Sequence, residues 1–449
     1  MEKFKLGAHQ TAASALISAL PAVGLSYEAG TGKTMCVLDY IYRAVENKSI
    51  SNALVICPAS VCGTWKNAIQ KMKLFDGYSD AGIKNVENIV TIRSFQKTYK
   101  SVKRTVHHRD GSDSTVRDLK IRDDIDHSWD VTVIDESHNI GSHKSIQTNA
   151  CLALGNMSKK RVVMSGTPVS GGGGSSDWKK LYGQIKFLNP AEYRNWTEFK
   201  SKFVISCDQW FNPKKYDESA CEKLFKKYFA VARLDECHDM PGLTETTVPC
   251  ELAEKRVYRD IKSGNVEKYD VTLNNSGGAY LKLLQLCSGN IKTDTGLKSF
   301  RSSKIDALKD IISGTDDKIV IFCAYRASID SVAEALDKFD EKTAIFDGRS
   351  HGETWREFQE GSARFLICQY QAGGVGIDLF ASATMVLYEP CFSSLLLEQS
   401  RARIYRLGQR RHCRYLYLST EKTIEEKTWD TVRSGVDVTR EMLDTWARE

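Results

Sequence analysis

Glu28–Thr34 reads EAGTGKT and follows the short apolar segment Val23–Leu25. Gly30 and Gly32 let backbone N–H groups approach phosphate oxygens, and the run leads into a helix whose N-terminus favours anions. Lys33 is then the cation for the β/γ-phosphates of a nucleotide, and Thr34 the hydroxyl ligand for Mg²⁺. Gly30, Thr31 and Gly32 form the backbone cradle. The strict P-loop pattern wants glycine at position 27, where this chain has Tyr27. The departure is tolerable, because the last glycine and Lys-Thr carry most of the contacts. Further along, Asp135-Glu136 follows the apolar run Val131–Ile134 (VTVI). A carboxylate at a strand end suits a metal. Asp135 would orient Mg²⁺ through its water shell, and Glu136 would position or deprotonate an attacking water.

Outward from these two sites the chain repeats one rhythm. Ala53–Cys57, Ile89–Ile92, Val131–Ile134 and Arg161–Met164 are short, β-branched-rich runs; so are Ile319–Phe322, Thr343–Phe346, Phe365–Cys368 and Met385–Tyr388. Such runs read as buried strands, and their alternation with amphipathic helices implies parallel sheets covered on both faces. The fold class is α/β, with two such sheets. Residues 191–300 break the rhythm and read as a mainly helical insertion or linker. Residues 1–190 form a first lobe with a basic insertion at 97–122, and residues 301–449 a second. Gly171–Ser176 (GGGGSS) is a flexible loop by composition.

Composition bounds the rest. In 449 residues, 41% hydrophobic, 27% charged and only 8 Pro exclude disordered and collagen-like chains. A formal charge of +6 is too mild to argue for nucleic acid by itself. Thirteen scattered cysteines without a CxxC pair read as free thiols of a reducing compartment. MEKFKLGAHQ at the start has no apolar signal core, and no run approaches the ~20 residues of a membrane helix. A soluble cytoplasmic protein is expected.

The motifs occur in a familiar order. Ala8-His9-Gln10 resembles an adenine-reading Q motif, LVICPASVCGTW (Leu54–Trp65) motif Ia, and DESH (Asp135–His138) motif II. SGTP (Ser165–Pro168) resembles motif III, IVIFCAY (Ile319–Tyr325) motif IV, AGGVGIDL (Ala372–Leu379) motif V, and QSRARIYRLGQ (Gln399–Gln409) motif VI. Together with LYGQIKFLNP (Leu181–Pro190) and LLQLCSGNI (Leu283–Ile291), they resemble the Swi/Snf-type motors of superfamily-two helicases and translocases. One departure is Ala402, where remodellers usually carry an acidic residue. The large insertions of eukaryotic remodellers are absent, which resembles the compact motors of tailed bacteriophages, branch-migration helicases among them.

The resemblance implies two RecA-like lobes with ATP and Mg²⁺ in the cleft. Arg403 and Arg406, three residues apart and read as sharing one helix face, would act as arginine fingers. Gln10 would read adenine, while Gly376, Asp378 and Gln399 would serve the nucleotide from the second lobe. Ser165 and Thr167 would couple the γ-phosphate state to closure, with His138 bonding to motif III. DNA would be held through its phosphate backbone by Pro58, Ala59, Ser60 and Ser94 on one lobe. Gly348, Arg349, Gln371, Ala372 and Gly373 would hold it on the other. The partner is forked, branched or duplex DNA, and the motor a monomer, in the host cytoplasm if phage-encoded. The alternative is a duplex translocase that remodels protein–DNA complexes without strand separation.

Between Lys97 and Arg122 eight Lys/Arg face three Asp, a surplus of +5. Thr105-Val106 and Thr115-Val116 are β-prone, and Asp110-Gly111 between them is a turn signal. A hairpin is predicted over Thr105–Val116, flanked by Lys100, Lys103 and Arg104 on one side and Arg117 and Lys120 on the other; these, with Arg109, would grip DNA while the hairpin acts as a wedge.

Overall fold

Apolar runs that do not alternate must be covered on both faces, and the chain does this twice. The computed structural model describes residues 3–107, 113–169, 177–237, 239–273, 276–350, 354–373, 377–406 and 408–446. It divides into two units, Met1–Val169 with Asp177–Asp239, and Met240–Glu449.

The first unit carries β1 (Ala22–Tyr27), β2 (Ala53–Cys57), β3 (Val90–Ser94), β4 (Tyr99–His107), β5 (Asp113–Ile121), β6 (Trp129–Asp135), β7 (Ser158–Ser165), β8 (Val204–Cys207), β9 (Pro213–Tyr216) and β10 (Phe229–Ala232). Six of these form one sheet in the order β10-β1-β7-β6-β2-β3, and every pair is parallel. The order sets the site: β7 lies between β1 and β6, so the segment after β7 falls between the P-loop and the carboxylates. Leu54, Val55, Val133, Ile134 and Val163 have no exposed surface and form the centre of this core.

The second unit carries β11 (Leu243–Cys250), β12 (Asn290–Lys292), β13 (Leu297–Ser299), β14 (Ile319–Cys323), β15 (Thr343–Phe346), β16 (Phe365–Gln369), β17 (Thr384–Leu387) and β18 (Cys413–Thr420). Its parallel six-stranded sheet runs β11-β18-β17-β14-β16-β15. The α/β class and the two parallel sheets are therefore as read from the sequence.

Residues 191–300 are shared between the units rather than standing apart as a linker. The helices Trp196–Phe203 and Glu218–Tyr228, β8, β9 and β10 belong to the first unit; β11 and the helices Lys255–Lys262 and Ser276–Cys287 belong to the second. Each sheet needs an edge strand from this stretch, β10 for one and β11 for the other.

The basic insertion is a hairpin. β4 and β5 pair antiparallel from Tyr99↔Ile121 to His107↔Asp113, longer than the four β-prone residues indicated. Among the described residues the ribbon pairs with no other strand, and its base is rooted by Tyr99, Leu119 and Ile121 in the core. The Asp110-Gly111 turn and the GGGGSS run lie outside the described residues. Among the described residues, no helix is long and apolar enough to cross a membrane.

The second unit closes over buried charge. Lys304 and Glu425 have no exposed surface, and Glu389 is 1% exposed. Lys304 Nζ donates to Glu425 Oε1 and, at 2.9 Å, to the Tyr388 carbonyl. Glu425 Oε2 accepts from Thr420 N at 2.8 Å. Glu389 caps the helix Arg326–Leu336, accepting from Ala324 N and Tyr325 N at 2.9 Å and from Ser328 Oγ at 2.8 Å. Burial disfavours the Lys304 ammonium, but Glu425 and Glu389 outweigh it and hold its pKa above the ordinary range. Lys304→Met leaves two buried carboxylates without their cation. It should cost about 3–5 kcal/mol, read from the urea midpoint of the second unit; a loss below about 1 kcal/mol would mean the pair is not a keystone.

Candidate functional site

Four strand ends on one edge of the first sheet carry the candidate residues: the P-loop after β1, Pro58 after β2, Asp135 at the end of β6 and Ser165 at the end of β7. Loops beyond the carboxyl ends of parallel strands are where such sheets bind ligands. Gly30 and Gly32 have φ of 91° and 82°, left-handed values open to glycine, just before the helix Lys33–Glu46. A Cβ on Gly32 would collide with Gln10 Nε2. Thr34 sits in the first turn. Lys33 Nζ donates to the carbonyls of Tyr27 at 2.6 Å and Glu28 at 3.1 Å, among its contacts. Tyr27 thus serves the loop through its backbone, which explains why its side chain is tolerated at the glycine position; that side chain is buried, and its hydroxyl donates to His9 O at 3.3 Å.

Gln10 is 5% exposed. Its Oε1 accepts from Gly7 N at 2.9 Å, and its Nε2 donates to Thr31 O at 3.1 Å. Thr31 Oγ1 donates to Glu28 O at 2.7 Å. The start of the helix Ala8–Ala19 therefore fastens the phosphate loop.

Asp135 is 5% exposed. Its Oδ2 accepts from Trp65 Nε1 at 2.9 Å, and its Oδ1 from Glu136 N at 2.9 Å. Burial, with Glu136 adding to it, pushes this carboxyl up to about 7, against the pull of Trp65 and Lys33. Glu136 adopts φ 51°, ψ 52°, a left-handed conformation that costs a non-glycine residue about 1–2 kcal/mol. Its carbonyl is held by Asn139 N at 3.0 Å and Asn139 Nδ2 at 2.8 Å. His138 Nδ1 lies 3.0 Å from Ser165 Oγ and 3.3 Å from Glu136 Oε2, and burial lowers its pKa, favouring the neutral ring. The expected bond from motif II to motif III is therefore present, and it touches the catalytic candidate as well. Thr167 N donates to Ser165 Oγ at 3.1 Å. A Cβ on Gly166 would meet Ala29 N and Tyr27 O at 3.5 Å and Lys33 Nζ at 3.6 Å, so motif III lies against the P-loop. Backbone N–H groups at a helix start, a lysine, a threonine hydroxyl and a buried carboxylate fit a triphosphate with a hard cation.

In the second unit the helix Ser394–Arg401 ends before the arginines. Arg403 and Arg406 do not share a helix face, a correction to the sequence reading. The turn beyond the helix is pinned by Gln409, whose Nε2 donates to the carbonyls of Ser382 at 2.7 Å and Phe380 at 3.3 Å. The two guanidiniums converge all the same: Arg403 Nη1 and Arg406 Nη1 each donate to Ile377 O at 3.2 Å, and Arg406 pairs with Asp378 at 2.5 Å. Gln399 gives its carbonyl to Arg403 Nε at 2.7 Å. Gly376 lies outside the described residues.

The DNA candidates are dispersed. Pro58, Ala59 and Ser60 enter the short turn after β2, and Ser94 is buried at the end of β3. Lys100 and Lys120 both pair with Asp123, at 2.6 and 2.9 Å. Lys103 is the register partner of Arg117, and Arg104 of Val116; Arg109 lies outside the described residues. Gly348 N donates to Gln369 Oε1 at 3.4 Å, and Arg349 is held by Asp330 at 2.8 Å and Asp347 at 2.7 Å. Gln371, Ala372 and Gly373 form the short helix after β16.

Sequence reasoning missed the part played by Trp65. The sequence shows it only as the end of motif Ia, whereas the buried indole serves as a donor to Asp135. A tryptophan with no exposed surface must place its N–H on a partner, and that need was the available signal. Gln184 was missed too. It accepts from Ser137 Oγ at 2.7 Å and donates to Pro168 O at 2.8 Å, tying motif II to motif III.

Because burial raises Asp135 above its unfolded value, its ionised form weighs against the native state once the pH exceeds about 7, and the penalty fades as pH falls toward 4. In the absence of nucleotide and divalent cation, Asp135→Asn should therefore melt higher than the parent chain at pH 8 and no higher near pH 4. Equal melting at pH 8, followed by scanning calorimetry, would refute that cost.

The chain was compared with known proteins. The SNF2-related domain matches residues 22–287, and the helicase conserved C-terminal domain matches residues 303–408. The DNA repair and recombination protein RDH54 of Saccharomyces cerevisiae is 21% identical over 466 residues, covering 90% of this chain and 47% of that protein. The DNA annealing helicase and endonuclease ZRANB3 of Homo sapiens is 22% identical over 442 residues, covering 93% of this chain and 38% of that protein. The chain thus spans less than half the length of these curated relatives. A Sulfolobus solfataricus SWI2/SNF2 ATPase core solved with dsDNA is 22% identical, with a TM-score of 0.43 over 95% of this chain and 90% of that one. With the SNF2-related domain matching more than half of its residues, the chain belongs to the SNF2-related family.

Proposed function

We propose that this chain is an ATP hydrolase that moves on DNA and unwinds or branch-migrates forked and junction substrates. Bound ATP with Mg²⁺ supplies the phosphoanhydride whose hydrolysis drives the motion. Lys33 compensates charge on the β/γ-phosphates, Thr34 and Asp135 hold the cation, and Glu136 takes the proton of the attacking water. His138 and Ser165, both within reach of Glu136 Oε2, report the state of that carboxylate to motif III. Arg403 and Arg406 stabilise charge as it develops in the transition state. The relatives' roles in DNA repair, recombination and annealing support DNA as the substrate. The most specific form of the reading is a compact bacteriophage-type branch-migration motor, acting as a monomer in the host cytoplasm and holding DNA through its phosphates.

The observation that carries strand separation is the β4–β5 ribbon. Nine residues in each strand, at about 3.3 Å per residue, make a rod some 30 Å long, set in the first unit between β3 and β6. Separating a base-pair step costs on average about 1.4 kcal/mol, so a motor gains from a fixed obstacle at the fork.

Glu136→Gln should bind nucleotide and cation but turn over slowly. Arg406→Ala should likewise keep nucleotide affinity and lose about 10³-fold or more in rate; equal losses of affinity and rate would assign that arginine to ground-state binding. Replacing residues 105–116 by a short Gly-Ser turn tests the wedge. DNA-stimulated hydrolysis should persist while unwinding of forks and four-way junctions collapses. Unwinding that survives the replacement would favour the duplex translocase instead.

A further inference from the structure

A second hairpin in the first unit, β8–β9, displays aromatic side chains to solvent. Trp210 is 74% exposed, Phe211 79% and Ile205 61%. Large apolar side chains grouped this way on a surface mark an interaction site more often than chance exposure does. The backbone beneath them is strained: Phe211 has φ 60°, a value that bulky residues rarely adopt.

The strain is held in place by the turn. Asp208 Oδ1 accepts from Trp210 N and Asn212 N, both at 2.8 Å, and Asp208 Oδ2 from Asn212 Nδ2 at 3.1 Å. Phe211 N donates to Asp208 O at 3.0 Å, and Asp208 N to Asn212 O at 2.9 Å. From the neighbouring helix, Lys200 Nζ donates to Phe211 O at 3.1 Å. These are the bonds of a three-residue hairpin loop whose last residue is left-handed, and they fix the backbone from which the two exposed rings project.

The surrounding charge identifies the occupant. Lys214 and Lys215 are exposed on β9. Asp208 is the hairpin's one carboxylate, and its oxygens are engaged inside the turn. Exposed aromatic rings at the hairpin tip and exposed lysines on the strand that follows, with the acidic group turned inward, match a platform for unpaired nucleobases: the rings would stack on bases and the ammoniums would meet the adjoining phosphates.

We infer that Trp210 and Phe211 form a stacking platform for unpaired bases of a single-stranded nucleic acid, with Lys214 and Lys215 contacting its backbone. This deepens the DNA-motor reading and rests on it. The platform would retain a strand once it has been separated from its partner.

The test compares binding of a single-stranded oligonucleotide, a forked duplex and a blunt duplex at fixed salt. Trp210→Ala and Phe211→Gly should each weaken single-strand and fork binding about tenfold, the range measured for lost base stacking, and spare the blunt duplex. Trp210→Tyr, which keeps a ring, should retain most of the affinity. Phe211→Gly removes the ring while relieving the left-handed backbone, so its melting temperature should not fall; this separates lost contact from lost fold. Unchanged single-strand affinity in both variants would overturn the platform and leave the pair to a protein partner. Equal weakening on the blunt duplex would also overturn it. A parent chain that binds none of the three DNAs would refute the DNA-motor reading itself.

Discussion

One carboxylate constrains the first unit more than any other group. Asp135 ends a buried strand, where water cannot solvate its charge, and a like charge follows it in sequence. A group so placed must draw donors from around it or neutralise. The donors come from separate elements: the indole of Trp65 from the helix after β2, the backbone N–H of Glu136, and at longer range the cation of Lys33. Trp65 and Lys33 lie near this carboxylate only because the sheet order brings the strand ends together. Much of the layout along this sheet edge follows from keeping that carboxylate ionisable without water. A divalent cation is the partner that such an arrangement prepares for.

The second unit repeats the logic with opposite sign. Two guanidiniums converge on the carbonyl of Ile377, which fixes their spacing without a helix to do so. Asp378 neutralises one of them. Held this way, an arginine keeps its position, which suits a group that acts on charge appearing late in a reaction. Deeper in the same unit, the Lys304–Glu425 pair and Glu389 tie the helix Ser303–Ser313, the end of β17 and the helix Ile424–Arg433 into one body.

The sequence made the central strands legible because they carry uninterrupted apolar runs. It left the edges obscure. β11 reads LTETTVPC and β10 only FAVA, and neither pattern outweighs the charged helices around it, since an edge strand is covered on fewer sides. β18, CRYLYLST, was hidden by the arginines before it. In the phosphate site, Gly30, Gly32, Lys33 and Asp135 were readable because their chemistry demands those residue types at those spacings. Trp65 and Gln184 were not, because a supporting hydrogen bond can come from any donor that the fold delivers, and delivery depends on tertiary contacts. The same limit misplaced Arg403 and Arg406 on a helix. Their spacing of three is helical, but the tertiary bonds of Gln409 hold that stretch as a turn.

Backbone strain separates the working parts from the scaffold. Among the described residues, six non-glycine positions have positive φ: Lys48, Glu136, Phe211, Asp270, Asp340 and Lys422. Lys48, Asp270 and Asp340 follow helical segments, where a left-handed residue is the ordinary way to stop. Lys422 turns the chain between β18 and the next helix. Those four have a structural reason in the chain path. Phe211 is the last residue of a three-residue hairpin loop, where a left-handed residue after a type I turn is a common connection. Glu136 has no such reason. Glu136 directly follows β6, and there the left-handed turn sets its carboxylate against His138 and Ser165. Phe211 tips a surface hairpin, and its ring, like that of Trp210, is exposed to water. In both places the surrounding hydrogen bonds sustain a conformation that local preference opposes. At Glu136, strain that no helix end explains is retained because it sets a carboxylate beside the side chains of motifs II and III.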